Sequence, residues 1–178
     1  GQPLYFIQTP KEIVLVNELY ASTRHIYMNV PHSKNPKPSW YGDSIGHYEG
    51  DTLVVDTVGV KTDRPYAMQD LFGTPYTDKL HIVERYRFRD YDDVKDALER
   101  NKKENWMFVG DVWSKHRGTF LQAEVTVEDP GVFTSPFTAT MTYVPNPGPM
   151  EESICAENTH EYYYNKDSDV PTAAKPDF

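Results

Sequence analysis

Glu84 is the first residue whose setting suggests chemistry. Over Leu80–Arg89 one strand face reads Ile82, Glu84, Tyr86, Phe88, and the other reads His81, Val83, Arg85, Arg87. The first face is apolar, and a carboxylate facing a core is expensive unless it is paired or hydrogen-bonded. Two readings follow. In a cavity, Glu84 is a candidate general acid or base. Against a buried arginine, such as Arg24 or Arg117, it is half of a structural ion pair. Asp56 raises the same question in Leu53-Val54-Val55-Asp56-Thr57-Val58. Apolar residues on both faces predict a buried strand, so Asp56 needs a partner. Backbone N–H groups of the next loop would serve, as would a histidine that Asp56 orients for catalysis. His81 and His47 are the candidates to complete such an acid–base set.

Candidate ligand contacts cluster just upstream. Trp40, Tyr41 and Asp43 precede a strand, and aromatic-rich approaches to barrel strands often rim a pocket. Tyr86 shares the face of Glu84. In Phe120–Glu128, Leu121, Ala123, Val125 and Val127 form the core face, and Phe120, Gln122, Glu124, Thr126 and Glu128 the other. Glu124 then points outward, or into the barrel if the barrel encloses a polar cavity. His47, Glu49 and Asp51 superficially resemble a metal triplet. The turn at Glu49-Gly50-Asp51 splays them, whereas zinc ligands must converge at ~2.0–2.2 Å. Histidines stand at 25, 32, 47, 81, 116 and 160, none at HxH or HxxxH spacing. A cross-strand site, for instance His81 with His47 or His160, stays open. Glu157 and His160 sit together after the last strand as a catalytic pair or a polar end. Cys155, the only cysteine, reads as a small inert hydrophobe. There is no P-loop, GxGxxG, GxSxG or HExxH pattern, and nothing calls for an organic cofactor.

The positioning elements are mostly strands. Phe6–Pro10 and Glu12–Val16 form two, joined by Pro10-Lys11, and Thr23–Met28 a third. Residues 29–39 are a loop with three prolines. Strands at 43–48 and 52–58 flank the Glu49-Gly50-Asp51 turn, where Gly supplies positive φ. Residues 59–79 are irregular, and Leu80–Arg89, Phe120–Glu128, Phe137–Val144 and Glu152–Glu157 complete the strands. One helix is predicted over 92–105, capped by Asp92 or Asp93, with Lys102 and Lys103 near its C-terminus. The expected fold is an all-β, mainly antiparallel barrel or barrel-like sandwich, lipocalin-like in outline. Residues 1–161 form one domain and 162–178 a polar tail. A chain of 178 residues can bury roughly 70% of its unfolded surface, so it needs no metal or disulfide to fold. The net charge of −9 disfavours nucleic acid and anionic lipid. No apolar run approaches the ~20 residues of a membrane span.

The run from Trp40 to Thr57, with Ile7-Gln8-Thr9-Pro10, Leu80–Arg85, Thr126–Pro130 and Cys155–Asn158, resembles a family of mostly exported bacterial hypothetical proteins with a WxGxSIGxYEGDTLVVDT motif. The resemblance covers nearly the whole chain. It implies an exported, periplasmic or extracellular setting and implies no activity. Relatives often carry Pro-His where this chain has Pro75-Tyr76, so a histidine there is not essential here.

Three functions fit these residues. The first is an enzyme acting on a small organic molecule, a lyase, isomerase or hydrolase using Glu84, Asp56 and His81 or His47. The second is an exported binding module with the same cavity. The third is an assembly subunit that forms a homo-oligomer through the Tyr-rich tail.

Overall fold

The computed structural model describes residues 4–17, 22–63, 68–69, 73–103, 115–145 and 148. One sheet holds β1 (Leu4–Gln8), β2 (Glu12–Asn17), β3 (Ser22–Met28), β4 (Asp43–Glu49), β5 (Thr52–Val58), β6 (His81–Arg89), β7 (Phe120–Glu128) and β8 (Phe137–Tyr143). Their spatial order follows the chain. Every neighbouring pair is antiparallel except β3–β4, which is parallel.

Period-two alternation puts one apolar face inward. Ile13, Ile26 and Val55 are fully buried there, each contributing ~1.5–3 kcal/mol. In a flat sheet β1 and β6 would lie about 24 Å apart, five spacings of ~4.8 Å. Instead Phe6 of β1 packs edge-on against Tyr86 of β6, with ring centroids 5.4 Å apart. The sheet therefore curls into a half-barrel, and residues from β1 to β8 share one core. Gly46 faces that core where no side chain fits: a Cβ there would meet the Ile26 and Met28 side chains at 2.9 and 3.0 Å.

The parallel pair needs a long connection, and the proline-rich residues 29–42 supply it. Ser39 pins this loop to the start of the next one, donating to the Gly59 carbonyl (3.2 Å) and accepting from the Lys61 N–H (2.8 Å). Gly42 closes it at φ 71°, where a Cβ would lie 2.5 Å from the Val58 carbonyl oxygen. The β4–β5 hairpin turns on Gly50 (φ 63°), with Glu49 opposite Thr52, as the sequence leads one to expect.

The helix, α1 (Tyr91–Lys103), starts one residue before the expected position. The Asp93 N–H donates to the Asp90 carbonyl. Asp92 and Asp93 thus fall in the first turn and complement the dipole rather than occupy the cap position. Tyr91 lies against Phe120, which is buried although it sits on the outer face of β7. Among the described residues no helix is long and apolar enough to cross a membrane. The expected strand at 152–157 and the tail at 162–178, with Cys155, Glu157 and His160, lie outside the described residues.

Asp129, after β7, ties the connection before β6 to the sheet. It is 1% exposed and accepts from the Thr77 N–H (2.6 Å), the Thr77 hydroxyl (2.7 Å) and the Gly131 N–H (3.0 Å). Burial pushes its carboxyl up, but these donors outweigh burial and hold it below the usual carboxylate range. A lowered folded-state value means stability that is present above the unfolded value of ~3.9 and lost as pH falls below it. Asp129→Ala is expected to cost about 2–4 kcal/mol in urea unfolding at neutral pH, with the difference from wild type shrinking in acid. A loss under about 0.5 kcal/mol at neutral pH would contradict this role.

Candidate functional site

The concave face carries a polar cluster inside the apolar core. Arg24 of β3 donates through Nη2 to Glu84 Oε2 (2.5 Å) and Thr57 Oγ1 (2.7 Å), and through Nε to Ser44 Oγ (3.1 Å). The Tyr86 hydroxyl donates to Glu84 Oε1 at 2.8 Å. Ser44 and Thr57 are opposite each other in the β4–β5 register, their hydroxyls 3.0 Å apart. Both Glu84 oxygens are thereby engaged. Burial disfavours the Arg24 charge, but the adjacent Glu84 carboxylate more than offsets it and pushes the guanidinium pKa up. Burial, then the same carboxylate, pushes the Tyr86 phenol up strongly, and Tyr143 more mildly. Tyr86 is thus a neutral hydrogen-bond donor rather than a base.

Beside this cluster lies a cavity of about 360 Å³. Arg24, Thr57, Glu84 and, near the rim, Gln69 form its polar part, and Tyr76, Leu80, Ile82, Val125 and Val127 contribute apolar walls; the Gln69 amide donates to the Pro75 carbonyl at 3.0 Å. Its rim is apolar and exposed: Trp40 60%, Tyr41 46%, Met68 42% and Met141 44%. An exposed apolar group around a concave opening is the usual mark of a binding site.

The opposite, convex face holds a second cluster. His32 Nε2 and His81 Nε2 both donate to Asp56 Oδ1, at 2.8 and 3.0 Å. The row continues at both ends, with Asp43 Oδ2 at 3.4 Å from His32 Nδ1 and Glu128 Oε2 at 3.8 Å from His81 Nδ1. Asp43 also accepts the Ser33 N–H at 2.9 Å. Burial pushes the Asp56 carboxyl up, but the two imidazole donors outweigh it and hold the carboxyl below its ordinary value. His32 and Ser33 belong to the 29–42 connection, whose far end carries Trp40 and Tyr41. The cluster fastens to the sheet the segment that forms part of the cavity rim. Among the described residues no group of three or more His, Cys, Asp or Glu is arranged to hold a metal ion.

The candidate catalytic set is thus divided between two faces of one sheet. Glu84 is inside; Asp56, His81 and His47 are outside. His47 pairs with Glu49 at 3.2 Å, and Glu49 also binds Arg85. Arg85, then His47, hold the Glu49 carboxyl below its usual range. Of the candidate ligand contacts, Trp40 and Tyr41 rim the cavity. Tyr86 holds Glu84 from the adjoining core. Asp43 belongs to the histidine cluster. Glu124 lies on the outer face, opposite Arg85 and Thr140 in register, because alternation sends it away from Ala123 and Val125.

Arg24, rather than Arg117, is the arginine that meets Glu84. The Arg117 guanidinium lies 4.3 Å over the Tyr91 ring. Asp56 is served by two histidine side chains rather than by loop N–H groups. His32, Ser44 and Thr57 are the participants that the sequence reading missed. Thr57 shares a strand face with Val55, so alternation could have found it; His32 sits in an aperiodic loop that gives no such signal.

Comparison with protein-family models, curated proteins and solved structures returned no match.

Removing one partner of a buried ion pair strands the other, which costs about 3–5 kcal/mol. Arg24→Met and Glu84→Leu are each expected to lose that much in denaturant unfolding, and the double variant less than their sum. Strict additivity would contradict the coupling. In an NMR titration of the carboxyl carbons, Asp56 is expected to titrate below the free-Asp value of ~3.9. It should move up in His32→Ala and in His81→Ala. An unmoved Asp56 in both variants would contradict the shared hydrogen bonding.

Proposed function

We propose that this protein binds a small organic molecule in the concave cavity and acts as a carrier or ligand sensor. The observation that carries this reading is the exposed apolar rim around a cavity with a hydrogen-bonded ion pair along one side. Such sites combine apolar walls with a few placed polar groups. Proton transfer has less support. Glu84 has both oxygens engaged, Tyr86 is held neutral, and His32, His47, His81 and Asp56 are on the other side of the sheet. A general base must reach the proton it removes, and no such group lines the cavity beside an uncommitted partner among the described residues. The strap formed by His32, Asp56 and His81 suits binding equally well, since it holds a rim in place without touching the ligand.

Val125 lies in the cavity wall and is opposite Glu84 in register. Val125→Phe fills that space. It is expected to weaken binding of any cavity ligand by at least about tenfold, or ~1.4 kcal/mol, while the chain stays folded by circular dichroism. Unchanged affinity in the folded variant would place binding elsewhere. Native mass spectrometry of protein purified from its own cells, compared with Val125→Phe, checks the same point with the natural ligand.

A further inference from the structure

We infer that the cavity selects uncharged molecules, each with a compact apolar body and one oxygen acceptor, such as a ketone, ester or lactone. The inference rests on the binding reading above and follows from the charges and hydrogen bonds of the described residues that line the cavity.

Arginine has five N–H donors. In Arg24 the bonds to Ser44, Thr57 and Glu84 use Nε and Nη2. Nη1 has no hydrogen-bond partner among the described residues, and Arg24 lines the cavity. Nη1 is not closed off, so it offers the open cavity a donor that a ligand oxygen can meet. The charge of that ligand is set by Glu84. The Arg24–Glu84 pair is neutral as a whole, with side chains only 17% and 10% exposed. An anionic ligand would add a second carboxylate beside one guanidinium and leave the poorly hydrated cluster with net negative charge. A cationic ligand would face Arg24. Each charge would also have to be stripped of water to enter. Lys61, over the Trp40 ring at the rim, does not alter the balance, because it is paired with Asp63 at 3.5 Å. An uncharged acceptor meets none of these penalties. The methionines on the rim, Met68 and Met141, are adaptable side chains that fit apolar bodies of varied shape.

Three probes of matched size separate the possibilities: acetophenone (neutral), benzoate (anionic) and benzylamine (cationic). Each is titrated into the wild-type chain by NMR, with Val125→Phe reporting whether binding is in the cavity. The expected result is cavity binding of acetophenone at least about tenfold tighter than either charged probe. Benzoate or benzylamine binding in the cavity as tightly as acetophenone would overturn the inference and leave the binding reading standing. No probe binding in a Val125-dependent manner, up to the solubility limit, would overturn both.

Glu84→Gln adds a second arm. It removes the negative charge at nearly constant shape, so the cavity gains net positive charge. Benzoate is then expected to gain at least about tenfold in affinity while acetophenone changes little. A folded Glu84→Gln protein that still rejects benzoate would overturn the charge argument. If the variant does not fold, the wild-type ranking alone decides.

Discussion

The Arg24–Glu84 pair is the constraint around which the concave face is arranged. It joins residues 60 apart in sequence, and with Ser44, Thr57 and Tyr86 it draws polar side chains from four successive strands into one cluster. A guanidinium inside an apolar core is tolerable only where its acceptors are fixed. Ser44, Thr57 and Glu84 supply these, and the register sets Ser44 against Thr57 and Val55 against Glu84. A one-residue slip of β5 against β6 would carry the inward residues of β5 to the outer face. Thr57 would leave Arg24, and Leu53 and Val55 would leave the core.

The same strands serve two faces with different jobs. Thr57 and Glu84 look inward to the cavity; their neighbours Asp56 and His81 look outward to His32 and Glu128. The histidine cluster matters to the cavity only indirectly. It secures the 29–42 connection on one face, and the end of that connection forms part of the rim on the other. Asp129 acts comparably for the segment before β6: its grip on Thr77 fixes the chain next to Tyr76 and Leu80, which line the cavity wall. Loop anchors of this kind are what keep an open, half-barrel cavity from losing its shape.

Much of this was legible in the sequence, because alternation is a direct consequence of strand geometry. It separated Ile82, Glu84 and Tyr86 from His81, Val83 and Arg85, and Ala123 and Val125 from Glu124. It also flagged Glu84 as a carboxylate needing a partner, with Arg24 among the choices. The hairpin at Gly50 announced itself through turn chemistry. What alternation does not carry is pairing between distant strands. The parallel β3–β4 contact follows an aperiodic, proline-rich connection, so nothing in its sequence places His32 above Asp56. The division of Glu84 from His81 was legible within one strand, but its division from Asp56, His47 and His32 was hidden, because each strand's faces are readable while their assignment to the inside or outside of one curled sheet is a tertiary fact. That division is what moves the functional reading from proton transfer toward binding.

The central claim, a ligand cavity on the concave face, is tested most directly by labelling the methionine methyl groups with carbon-13 and titrating in a small neutral aromatic ketone. Met68 and Met141 rim the cavity, whereas Met28 is buried in the core and does not line it. The expected result is saturable shifts of the Met68 and Met141 methyls with Met28 unmoved. Saturable binding that leaves both rim methyls in place would put the ligand elsewhere and contradict the claim.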